Sequence, residues 1–241
     1  MEKLEKFQLL VSCALIALGI LISSVIFAFR MPSGESITVT GSASKPVTSD
    51  SGKLNFELQA RQLTQKEAFN KLRTFYPEVE KYLVSKGIDK KDINTRTING
   101  YYNYKTNANG YSTNEISSYN ANWEIEITSK DVNKIKEIST DIQTIADKGV
   151  DIQTYQPEFY YSDLASIKIE LLKEASKDAK QRAESMLSAT GSRVGKVKQI
   201  RMGVFQITSL NSTDVSDMGI NDTSSIDKKV TAVANVVFKV K

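Results

Sequence analysis

Apolar positions recur along this chain at three spacings, and each spacing predicts a different kind of element. Leu9 to Phe29 is an unbroken, uncharged run of 21 residues. A helix of that length spans about 31 Å, roughly one hydrocarbon core, and it has no polar face to turn toward water. Ile37, Val39 and Gly41 then alternate with Thr38, Thr40 and Ser42. After Ser49-Asp50-Ser51-Gly52 a cleaner alternation follows, with Leu54, Phe56, Leu58 and Ala60 on one face. Period two predicts strands, and the intervening turn residues predict that these two strands form a hairpin.

From Thr64 to Lys86 the period changes. Phe69, Leu72, Tyr76, Val79 and Leu83 make one helical face; Pro77 predicts a kink or a second helix start, and Gly87 a stop. Asp92 to Lys105 reads as extended, with a polar tip at Thr106 to Asn114 containing Asn109-Gly110. Tyr119, Ala121, Trp123, Ile125 and Ile127 then alternate with polar residues, which predicts a central strand with Trp123 on its buried face. Thr128 or Ser129 is the expected cap of the next helix, whose stripe is Val132, Ile135, Ile138, Ile142 and Ile145.

Val150 to Tyr161 reads as a strand interrupted by Pro157. The longest helix, Leu164 to Thr190, follows Asp163 and carries Ile167, Leu171, Ala175, Ala179, Ala183 and Leu187 on its inner face. Val194 to Phe205 is extended, residues 206–229 form a polar loop, and Val230 to Val240 alternates as a last strand. The expected fold is α+β, with largely antiparallel sheets and three main helices in the order ββα-ββα-βα-ββ, preceded by one N-terminal transmembrane helix. Residues 1–30 are then an uncleaved signal-anchor, 31–35 a linker and 36–241 the body.

Processing of the anchor is disfavoured by its own residues. Phe27-Ala28-Phe29-Arg30 lacks the small-residue pattern of a cleavage site. Leu10-Val11-Ser12-Cys13 resembles a lipoprotein box, but uncharged residues rather than a polar tether follow Cys13. Lys3 and Lys6 against Arg30 favour a cytoplasmic N-terminus, placing the body at the cell surface or in the periplasm.

Composition removes most catalytic chemistry. The chain has no histidine and one cysteine, so histidine-based triads and Cys/His metal sets are excluded. No cofactor is expected. Net charge is only +4 and no basic stripe with aromatics appears, so nucleic acid is not an expected partner. Asp214, Asp217, Asp222 and Asp227 lack calcium-loop spacing. One surface stands out: Tyr101, Tyr102, Tyr104 and Tyr111 lie among asparagines on one hairpin, the chemistry of adaptable contact surfaces. Tyr119 alternates with core residues, while Tyr155, Tyr160 and Tyr161 form a smaller group.

Several stretches together resemble the SIMPL-domain family. They are Ile37-x-Val39-x-Gly41, Gly87-Ile88, Asp92-Ile93-x-Thr95, Tyr119-x-Ala121, Ser162-Asp163 before the alanine-spaced helix, and Ala189-x-Gly191-x-x-Val194-Gly195. Departures fall at turns: Ser49-Asp50 stands where the family often has Pro-Asp, and Ser118 where it has Gly. The resemblance covers about residues 36–241 and implies an exported α+β domain. It also implies links to oxidative-stress defence and, in some members, ring-shaped or channel-like homo-oligomers. It implies no catalytic residues. The expected function is a membrane-tethered, non-enzymatic domain acting by self-association or contact with a protein partner of unknown identity. The alternatives are a carboxylate hydrolase using Asp50, Asp163 or Glu158, and a wall- or lipid-binding module.

Overall fold

The strands of the body sort into two sheets, because two separate sets of inward-facing residues each find their own helical cover. The computed structural model describes residues 14–25 and 35–241. Residues 14–25 form a helix, α1, whose side chains are all exposed. Among the described residues no helix is long and apolar enough to cross a membrane. The ends of the expected anchor, Leu9 and Phe29, and most of the linker lie outside the described residues.

The first sheet is built on β1 (Ser36–Thr48) and β11 (Asp227–Val240), antiparallel along their whole lengths from Ser36↔Lys239 to Thr48↔Asp227. On its other side β11 pairs with β8 (Val194–Met202) and β9 (Gln206–Ser209), and β9 pairs in parallel with the short β10 (Ile220–Asn221). α4 (Leu164–Ser188) covers one face, burying the six-residue stripe expected from its alanine spacing against Val230, Ala232, Ala234, Val236 and Phe238. The small residues permit close approach: a Cβ at Gly41 would lie 2.2 Å from the Ala175 carbonyl oxygen.

The second sheet is built on β2 (Ser51–Gln62) and β5 (Ser112–Ser129), paired from Gly52↔Ser129 to Gln62↔Tyr119. β3 (Ile93–Thr95) and β4 (Asn99–Thr106) flank β5, while β6 (Asp151–Thr154) and β7 (Glu158–Tyr160) flank β2. α2 (Gln65–Ser85) and α3 (Val132–Asp141), with a 3-10 segment Ile142–Lys148, cover it. Thr64 opens α2 with a capping box: its hydroxyl accepts from Glu67 N–H while the Glu67 carboxylate accepts from Thr64 N–H.

The architecture is α+β and rich in antiparallel pairs, with several corrections to the expected detail. β1 and β2 do not form a hairpin. They belong to different sheets, and Ser49 and Asp50 carry the chain across, their N–H groups bonding to the carbonyls of Ile226 and Tyr160. The expected polar loop 206–229 contains β9, β10 and the start of β11; its apolar residues are sparse because β9 is only four residues long. The strand expected over Val150 to Tyr161 divides around Pro157 into β6 and β7. α2 runs through Pro77 without a second start, and it buries Ala68 and Phe75 more deeply than Phe69 and Tyr76. The cap of α3 is Asp131, which accepts from the N–H groups of Asn133 and Lys134, not Thr128 or Ser129. Trp123 faces the helical side as expected, but it is half-buried rather than enclosed.

Candidate interaction surface

The hairpin of β4 and β5 owes its shape to its tip and its base. At the tip, the Asn107 side chain accepts from Asn109 N–H and Tyr111 N–H, both at 3.0 Å, and Gly110 takes φ +82. At the base, Ser118 Oγ accepts from Arg61 Nε at 2.8 Å and Asn103 Nδ2 at 3.1 Å, tying the hairpin to β2. β4 presses close on β5: a Cβ at Gly100 would stand 2.1 Å from the Asn120 carbonyl oxygen.

The four tyrosines singled out by sequence are all exposed, but they do not share one face. Tyr101 sits opposite Asn120 on the polar side, its hydroxyl accepting from Asn120 Nδ2 at 3.1 Å. Tyr102 sits opposite Tyr119 on the helix side, the rings meeting edge-on at 4.7 Å. Tyr119 is buried and meets Phe69 at 6.0 Å, so an aromatic line runs from the core out to the surface. Tyr104 lies opposite Ile116, past a register shift, and both are about half exposed. Tyr111 is 71% exposed at the tip. Leu63, 75% exposed, adds to this edge just before α2. Neither Leu63 nor Ile116 stood out in the sequence, because isolated apolar residues beside strong periodic runs carry no signal of their own.

Carboxylates are the other candidates. The structure brings the three named in sequence into one region, where β7 leads into α4, and engages two of them locally. Asp50 accepts from the N–H and hydroxyl of Ser162, Asp163 precedes α4 without a side-chain cap bond, and Glu158 contacts Tyr160 and Lys53. The Tyr160 hydroxyl bond, helped by Lys53, holds the Glu158 carboxyl below its ordinary value. That is the wrong direction for a general acid at neutral pH. Register does bring together a pair that sequence could not: Glu57 and Glu124 are direct partners on the polar side of β2 and β5, beside Tyr155. Arg96 offsets Glu124 at 3.3 Å.

A broad groove of about 640 Å³ lies between the end of α2 and the start of α3, lined in part by Asp89, Asp92, Asp131 and Lys134. Two of its charged side chains are committed to structure: Asp131 caps α3, and Lys134 Nζ donates to the Gly87 carbonyl at 3.0 Å. Sequence reasoning also missed Lys228, which is buried where β11 begins and donates to the Asp222 carbonyl. Burial pushes its ammonium down. Burial also pushes the Asp222 carboxyl up, but hydrogen bonds from Ser225 and Ser224 and the Lys228 charge outweigh it and hold it at about 2. These residues pin the 210–226 connection to the sheet. Among the described residues no group of three or more His, Cys, Asp or Glu is placed to hold a metal ion.

A family model described as "SIMPL: Protein of unknown function (DUF541)" matches residues 37–238. No curated protein matches the chain.

Proposed function

This chain belongs to the SIMPL family of proteins of unknown function, and from that premise we propose that it is a membrane-tethered, non-enzymatic body outside the cytoplasm, serving envelope or oxidative-stress tolerance by binding further copies of itself through the β4–β5 hairpin. The observation that carries the reading is the exposed row of Tyr102, Tyr104, Ile116 and Tyr111, which continues an aromatic line from the core beyond the reach of α2. Exposed aromatic patches of this kind mark interaction surfaces. Tyrosine offers contact area with few rotatable bonds and tolerates water when unpaired. A tether in a membrane confines copies to a plane, which raises their effective concentration and lets a modest interface act.

The non-enzymatic part rests on chemistry that the sequence lacks, with no histidine and a single cysteine in 241 residues, and on Asp50 and Glu158 being engaged in local bonds. The test is the full chain in lipid bilayers, its assembly counted by photobleaching of single labelled particles. Replacing Tyr101, Tyr102, Tyr104 and Tyr111 by serine should reduce oligomers to monomers. Because Tyr102 touches Tyr119, a second variant, Y104S/Y111S, keeps the aromatic line intact and should weaken assembly at an unchanged melting temperature. A monomeric parent chain, or normal assembly by both variants, overturns the reading.

A further inference from the structure

The first sheet gathers exposed cations at one end. At the end where β1 begins, Arg193, Lys196, Lys198, Arg201, Lys239 and Lys241 gather along β8 and the adjoining end of β11. All six are exposed, and among the described residues none forms an ion pair with a carboxylate. The opposite end is mixed: Asp227 pairs with Thr48 and Asp214 and Asp222 lie on the connection into β11, but Lys45, Lys228 and Lys229 stand among them. β8 is also amphipathic. Val197, Ile200 and Met202 share the side of Val236 and Ala234, yet remain 49%, 54% and 61% exposed, because α4 lies over β1 and β11 and barely reaches β8.

The place where the chain enters this sheet gives the charge a direction. The Glu35 carbonyl accepts from Val240 N–H, so the N-terminal segment arrives at the basic end. Only six residues, 30–35, separate the uncharged run from Ser36. Fully extended they reach at most about 22 Å. Whatever membrane holds that run therefore lies within about 22 Å of this end of the sheet.

We propose that the body docks on an anionic phospholipid surface through the β8 edge and the basic end of the first sheet, rather than swinging free on its tether. The inference rests on the tethered reading above. A cation within a Debye length of an anionic leaflet, about 8 Å, strengthens association roughly fivefold. Cations beside exposed apolar side chains are the pattern of elements that lie in a membrane interface.

The test uses the full chain reconstituted into phosphatidylcholine vesicles with or without phosphatidylglycerol, followed by brief acetylation and mass spectrometry of each lysine. Lys196, Lys198, Lys239 and Lys241 should react severalfold more slowly in the anionic vesicles and recover in high salt, while Lys66 and Lys148 do not change. The variant K196E/K198E/R201E should abolish the protection of Lys239. A chain that fails to float with phosphatidylcholine vesicles sinks the tether and the docked orientation with it. A chain that floats with both, yet shows equal lysine reactivities, overturns the docking alone. Protection that follows protein density rather than lipid charge assigns the edge to protein contacts and also overturns it.

Discussion

Trp123 shows what a single residue's alternation does and does not reveal. Its place between Ala121 and Ile125 puts it on the helical side of β5, and that side is correct. Depth is another matter, because it depends on what lies above. The ring stacks on Tyr76 at 4.8 Å, near the edge of α2's cover, and its Nε1 donates to the Arg96 carbonyl at 2.8 Å. A fully enclosed tryptophan loses about 3–5 kcal/mol on truncation to alanine. Here the half-open site and the water available to Arg96 reduce that, so Trp123→Ala should destabilise by about 2–3 kcal/mol in urea unfolding. Trp123→Phe should recover most of the loss, because it keeps the stack and gives up one exposed hydrogen bond. Equal losses in both variants would show that the hydrogen bond, not the stacking, holds the residue.

At the scale of elements, periodic faces were legible wherever one partner surface fixes them. The α4 stripe and the isoleucines from α3 through the 3-10 segment are buried as the spacing requires. On α2 the spacing marks the buried Leu72, Val79 and Leu83 but takes Phe69 and Tyr76 in place of Ala68 and Phe75, because the helix's outer flank is partly buried too, by contacts with Tyr119 and Trp123 from a strand far away in sequence. Its proline is a local cost that tertiary packing absorbs. Pro77 is exposed and lies between buried Phe75 and Val79, so the core holds the helix on both sides of the missing donor. Alanine there restores a hydrogen bond to the Arg73 carbonyl and removes a ring clash worth about 3 kcal/mol in a free helix, partly offset by a more flexible unfolded chain. Pro77→Ala should therefore stabilise by about 1–2 kcal/mol, read as a raised urea midpoint at unchanged slope. A lowered midpoint would mean that the helix needs a proline-set bend to seat Phe75.

At the scale of the whole molecule, the assignment of strands to sheets was the part hidden from local pattern. β1 and β2 look like a hairpin because two alternating runs flank turn residues, yet pairing is decided by partners more than 150 residues away in one case and about 70 in the other. The consequence is an insertion. Residues 51–160 make the second sheet with its own core, while the first sheet is closed by β1 and by everything after Ser162. The chain passes between the sheets at Ser49-Asp50 and again at Tyr161-Ser162, and one carboxylate ties both passages: Asp50 accepts from Ser162 N–H at 3.0 Å and from its hydroxyl. Hydrogen bonds to a charged group contribute about 1.5–3 kcal/mol, and these lie where, among the described residues, the chain crosses between the two cores. Asp50→Ala should then lower the melting temperature and split a single calorimetric transition into two, one for each sheet. Asp50→Asn, which keeps an acceptor for Ser162, should broaden the transition without separating it. One sharp transition in Asp50→Ala, merely shifted downward, would show that the contact of Phe159 and Ser49 with the 223–226 segment couples the sheets without the carboxylate.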